Sequence, residues 1–109
     1  MAYYVGDKGP KSVPFVIDTG DVDGTDAASA RVIVYKPDGT QAEWTPSALT
    51  TSEDEVSFSV TLQSNGSSLP SVGQYYARVW LYDSGGVNIL DTDEQLLFTV
   101  RAARLTWPV

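Results

Sequence analysis

Neither cysteine nor histidine occurs anywhere in this chain. With no cysteine there is no disulfide and no thiol nucleophile, so the fold must be held by packing. With no histidine, the commonest metal ligand and the commonest general base near neutral pH are both missing. Basic residues are scarce as well: 7 Lys and Arg stand against 14 Asp and Glu, a formal net charge of −7. Nucleic-acid affinity comes largely from Lys and Arg displacing phosphate counterions, so this balance argues against a DNA or RNA partner. No apolar run approaches the ~20 residues that span a bilayer. The opening Met1-Ala2-Tyr3-Tyr4-Val5-Gly6-Asp7 has neither the basic nor the apolar region of an export signal, so no membrane partner is expected. Helical periodicity is absent from every window.

What remains is a composition suited to one packed β domain. Hydrophobic residues make up 42% of the 109, aromatics 11% and charged residues 19%, within the globular range. The longest unbroken run of strand formers is Gly73 to Asp83, expected as a central strand. Alternation puts Tyr75, Ala77, Val79 and Leu81 on a core face and Tyr76, Arg78, Trp80 and Tyr82 on an amphipathic one. Gly73 before it and Asp83-Ser84-Gly85-Gly86 after it supply turn chemistry.

The other strands follow from the same signals. Residues 1–11 read as an N-terminal arm and edge strand broken by Gly9-Pro10. Val13, Phe15 and Ile17 alternate through Ser12–Ile17, and Pro14 assigns that strand to an edge. Ala30, Val32 and Val34 face one way, with Ile33 and Tyr35 the other. Lys36-Pro37-Asp38-Gly39 then reverses the chain into Gln41–Trp44. Val56, Phe58, Val60 and Leu62 alternate strictly with small polar residues. Val87–Leu90 and Glu94–Val100 close the fold, with Leu96, Phe98 and Val100 expected inside. Short strands separated by turns every ten residues or so predict a single all-β domain over residues 12–100, an immunoglobulin-like antiparallel β-sandwich. Residues 101–109 form a tail carrying Leu105, Trp107 and Val109 where a solvated end would be polar.

Candidate chemistry is thin. Asp18, Asp21, Asp23 and Asp26 share one loop, but no EF-hand register fits. Counted from Asp18, the glycine position holds Asp23 and the glutamate position Ser29; counted from Asp21, they hold Asp26 and Val32. Turn-making and capping account for these acids. The pair Glu53 and Asp54, and the trio Asp91, Asp93 and Glu94, are neighbouring acids of the kind hydrolases use, yet such neighbours in loops are ordinarily solvated. The serines lack an activating partner, and Lys8, Lys11 and Lys36 stand in no recognisable spacing to them. No catalysis, metal or cofactor is expected. The sites that stand out are partner-binding ones: the tail residues Leu105, Trp107 and Val109, the arm residues Tyr3 and Tyr4, and the stripe Tyr76, Trp80 and Tyr82.

Tyr4-Val5-Gly6-Asp7, Val13-Pro14-Phe15-Val16-Ile17-Asp18 and the run from Ala28 to Thr40, with its Tyr35-Lys36-Pro37-Asp38-Gly39 turn, resemble the opening of the N-terminal domain of tailed-phage baseplate upper proteins. Gly73 to Asp83 and Leu97-Phe98-Thr99-Val100 resemble that domain's later half, so the likeness spans about residues 4–100. It implies an immunoglobulin-like structural module of a bacteriophage virion, attached to other virion proteins. Baseplate proteins of this type continue into long helical or fibre-bearing regions, whereas nine residues follow Val100 here. The expectation is therefore a non-enzymatic accessory protein in the virion. It would dock on the capsid as a decoration or minor capsid protein, or on the tail, with a homo-oligomer in the particle as one form. The alternatives are a baseplate or tail component, or a carbohydrate-binding module for host adsorption.

Overall fold

In the computed structural model, which describes residues 2–102, the chain is an all-β sandwich of two sheets. The nine strands among the described residues are β1 (Tyr3–Tyr4), β2 (Ser12–Asp18), β3 (Ser29–Tyr35), β4 (Gln41–Trp44), β5 (Thr50–Thr51), β6 (Glu55–Thr61), β7 (Gly73–Tyr82), β8 (Asn88–Asp91) and β9 (Gln95–Arg101). A single 3-10 turn, Gly24–Asp26, is the one helical element among the described residues. The larger sheet runs β1-β9-β7-β3-β4, with β8 also on β7, and the smaller runs β2-β6-β5. The pairings are antiparallel except for β1, which lies parallel to β9, with Tyr3 opposite Val100 and Tyr4 opposite Arg101.

The expected organising strand is the middle of the larger sheet. Along β7, Tyr75, Ala77, Val79 and Leu81 are buried, while Tyr76, Arg78, Trp80 and Tyr82 are half-buried on the outer face. The same alternation buries Val13, Phe15 and Ile17 on β2, Val32 and Val34 on β3, and Val56, Phe58 and Val60 on β6. Phe15 and Phe58 lie opposite each other and stack at 5.1 Å, linking β2 to β6 from within the core. The β3–β4 reversal is closed by Lys36 N–H to Thr40 O at 2.9 Å, with Gly39 at φ +87°. Gly73 opens β7 at φ +133°, and a Cβ there would lie 2.7 Å from the Pro37 ring, so both backbone and packing call for glycine.

Tyr75 has no exposed surface, yet its hydroxyl is satisfied. It donates to Ser71 O at 2.8 Å and accepts from Ser71 N–H at 3.1 Å, pinning the β6–β7 connection to the core.

Two expectations of burial change. Leu96 is 52% exposed instead of buried. The β7–β9 ladder slips between Tyr75, opposite Phe98, and Tyr76, opposite Leu96, so Leu97 is an extra residue in β9 and the alternation before it inverts. Phe98 is only partly buried, stacked on Tyr3 at 4.3 Å. The arm supplies β1, the edge strand of the larger sheet, and β9 runs to Arg101.

Phe58→Ala is expected to destabilise the domain by about 3–5 kcal/mol. Phe98→Ala should lose less because its ring is partly solvated, and Tyr75→Phe should lose about 1–3 kcal/mol by leaving the Ser71 backbone groups unpaired. Urea titrations of the three variants against the parent check this order.

Candidate docking surfaces

The residues expected to meet partners are distributed over three places. Tyr3 is 5% exposed and belongs to this chain's own core: besides stacking on Phe98, its hydroxyl donates to Ser12 O at 3.0 Å. Its ring is thus not available to a neighbour. The Lys11 ammonium sits 4.7 Å from the Tyr3 ring centre and 5.8 Å from that of Tyr4, and it pairs with Asp7 at 2.6 Å. Asp7 in turn accepts from Tyr4 N–H at 2.9 Å. Tyr4 remains half-buried at the rim of this cluster. Leu105, Trp107 and Val109 lie outside the described residues.

The stripe Tyr76, Trp80 and Tyr82 is brought together on the outer face of the larger sheet. Tyr35 of β3 stands opposite Tyr76, and Arg31 opposite Trp80. The Arg78 guanidinium lies 5.0 Å from the Trp80 ring centre, donates to Thr92 O at 3.2 Å and approaches Asp91 at 3.7 Å. That anchoring holds the indole as a flat, half-exposed platform. Leu96, turned outward by the bulge beside Tyr76, extends the apolar part of this face, a contribution that simple alternation conceals.

A second feature was not foreseen. Between β2 and β9 the sandwich is open, leaving a cleft of about 390 Å³. Residues 14–18 of β2 form one wall and Thr92 with residues 95–97 the other, with Ala77 and Val79 of β7 between them. Both of those floor residues are small, which gives the cleft its depth. Its apolar strand residues read individually as core, so the only sequence signal for an open side was Pro14, which marks β2 as an edge.

The acidic loop is built from turns. Asp18 Oδ1 accepts from Gly20 N–H at 2.9 Å, and Asp23 Oδ1 accepts from Thr25 N–H at 3.0 Å and Thr25 hydroxyl at 2.6 Å, capping the 3-10 turn. The hydroxyl bond first, and the backbone bond second, hold the Asp23 carboxyl below the usual aspartate range. Among the described residues, no group of three or more Asp or Glu converges on a point that could hold a metal ion.

No family model matches the sequence, no curated protein matches it, and no solved structure matches the fold.

Burial foremost, and the Asp7 charge second, push the Tyr3 phenol above its ordinary value. A group raised in the folded state contributes stability that is fully present below the unfolded pKa of about 10 and is lost as pH rises through the folded one. Tyr3→Phe should therefore be destabilised by a constant amount below pH ~10, and that gap should narrow above it. Denaturant titrations at stepped pH give the gap directly. Millimolar Ca²⁺ should leave the melting temperature unmoved; a rise of several degrees that Asp21→Ala with Asp23→Ala abolishes would show a real site.

Proposed function

We propose that this chain is a non-enzymatic structural accessory of a tailed-phage virion. In this reading an immunoglobulin-like domain docks on other virion proteins, as a decoration or minor capsid protein or on the tail. The observation that carries the docking role is the contiguous outer surface of Tyr35, Tyr76, Arg78, Trp80, Tyr82 and Leu96, rich in the aromatic and Arg anchors that protein interfaces favour. The phage assignment rests on the likeness of residues 4–100 to the baseplate upper protein domain. Support for an immunoglobulin-like arrangement comes from the strand order, in which β9-β7-β3-β4 faces β2-β6-β5, and from the Tyr75 hydroxyl bound back to Ser71. A tyrosine in that corner, near the start of the strand after the sheet crossover, is a recurrent feature of such sandwiches.

The alternative is a carbohydrate-binding module for host adsorption, favoured by the Arg78-backed Trp80 ring, which offers a sugar a stacking face. One experiment separates the two. Phage carrying the chain truncated after residue 102 should package little or none of it, although the truncated protein keeps every described strand. The carbohydrate reading predicts normal packaging of the truncated chain and loss of glycan binding in Trp80→Ala. Normal packaging without residues 103–109 would overturn the docking-tail role.

A further inference from the structure

The open side of the sandwich has the form of a missing strand, and its details select an occupant. Leu62 N–H bonds Lys11 O and Thr19 N–H bonds Asp54 O, each at 3.0 Å, bracketing the β2–β6 ladder. Odd-numbered residues of β2 therefore exchange bonds with β6 while their side chains face the core. Even-numbered residues direct their backbone groups away from β6, and no strand among the described residues pairs with that side. Val16 is 66% exposed on this edge, beside the cleft.

We infer that residues 103–109 of a second copy of this chain add to β2 as an antiparallel strand, with Leu105, Trp107 and Val109 turned into the cleft. This deepens the docking-tail reading by naming the surface on which the tail lands. The apolar residues Leu105, Trp107 and Val109 alternate as an inserted strand requires. Side-chain parity then limits the register. When Arg104 stands opposite Asp18, Thr106 falls opposite Val16, where both backbone bonds can form, and Pro108 falls opposite Pro14, the one pair that makes no ladder bond. The same register sets Leu105 against Ile17, Trp107 against Phe15 and Val109 against Val13, all three of the β2 residues inward-facing. Charge agrees: the tail contributes a cation to a cleft end bounded by Asp18, with Asp93 and Glu94 in the adjoining loop.

The chain cannot do this to itself. Tyr3 lies opposite Val100 and its hydroxyl bonds Ser12 O, so the end of β9 is at the Ser12 end of β2. Asp18 is six residues further along, roughly 20 Å. From Arg101 to Arg104 the chain can extend at most about 11 Å.

The test uses the full chain in sedimentation experiments. The parent should self-associate with concentration. Arg104→Asp and Asp18→Arg should each weaken association about tenfold, because like charges then face each other across the strands. Mixing the two variants in equal amounts should restore it, since each tail then meets an opposite charge, and recovery also shows that both are folded. Val16→Pro, which removes an edge donor but no β6 bond, should weaken association and not be restored by either variant. A parent that stays monomeric, variants that associate like the parent, or a mixture that stays dissociated would overturn the inference; a monomer would be the outcome for a tail held by its own domain. Failure here, combined with lost packaging of the truncated chain, would leave the docking-tail reading standing with a different virion protein as host.

Discussion

The Tyr75 hydroxyl, bonded twice to the Ser71 backbone inside a side chain with no exposed surface, is the interaction on which the rest of the sandwich depends. A chain without disulfides must fix the separation and stagger of its two sheets by packing alone. Tyr75 does this where the chain leaves the smaller sheet at β6 and enters the middle of the larger one at β7. Its ring fills core volume beside Phe98, 5.8 Å away, while its polar tip is satisfied by backbone in the connecting loop. Leu62, Ser68 and Leu69 of that same loop are buried as well, so the β6–β7 connection is anchored in the core at several points. With β7 placed, β3 and β9 pair on either side of it and β8 covers its end, which sets the whole larger sheet.

How much of this the sequence discloses depends on whether the deciding interaction is local. Strict alternation on β2, β6 and β7 identified the inward residues, because period-two burial is a property of each strand by itself. The Pro37-Asp38-Gly39 reversal fixed the β3–β4 hairpin for the same reason, and Pro14 announced an edge. Leu96 was misplaced because a bulge is decided by two strands together: nothing in Gln95-Leu96-Leu97-Phe98 states which leucine is the extra one. Tyr3 reads from sequence as a partner contact because two residues of arm carry no information about the sheet edge they join. Its burial comes from Phe98 and Ser12, distant in sequence. Trp44 and Ala27 are buried for similar non-local reasons. The aromatic face of β7 was legible as a pattern, but the Arg78 contact that stiffens Trp80 was not, because it relies on Thr92 and Asp91 returning across the sheet.

Charge is distributed so that the large acidic excess does little harm to packing. Asp18, Asp23, Asp38 and Asp83 each accept a backbone N–H two residues ahead, so these acids act as turn-makers in water, where like charges are well screened. Lys11 is used differently. Held between Asp7 and the rings of Tyr3 and Tyr4, it neutralises the one acid near the buried phenol and ties the arm to the start of β2. The edge strand of the larger sheet, β1, is thereby fastened to the smaller one, whose own edge strand β2 pairs on one side only.

An open edge invites indiscriminate pairing, and a small sandwich without a covering strand must limit which strands can add to it. Pro14 provides such a limit. Any added strand that sets a residue opposite position 14 finds no N–H there for its own carbonyl, and forfeits a bond that it would make with water. In the antiparallel register inferred for the tail, Pro108 would stand at that point, a pair that makes no ladder bond, so the gain would come from Arg104 against Asp18 and from the inward side chains. Inward alternation and an opposite-charge pair together would constrain direction, register and phase at once. Rejection of other strands would come from Pro14, and acceptance of this one from side chains that offset the bonds lost there, which is how a specific contact can be built on backbone groups that every polypeptide shares.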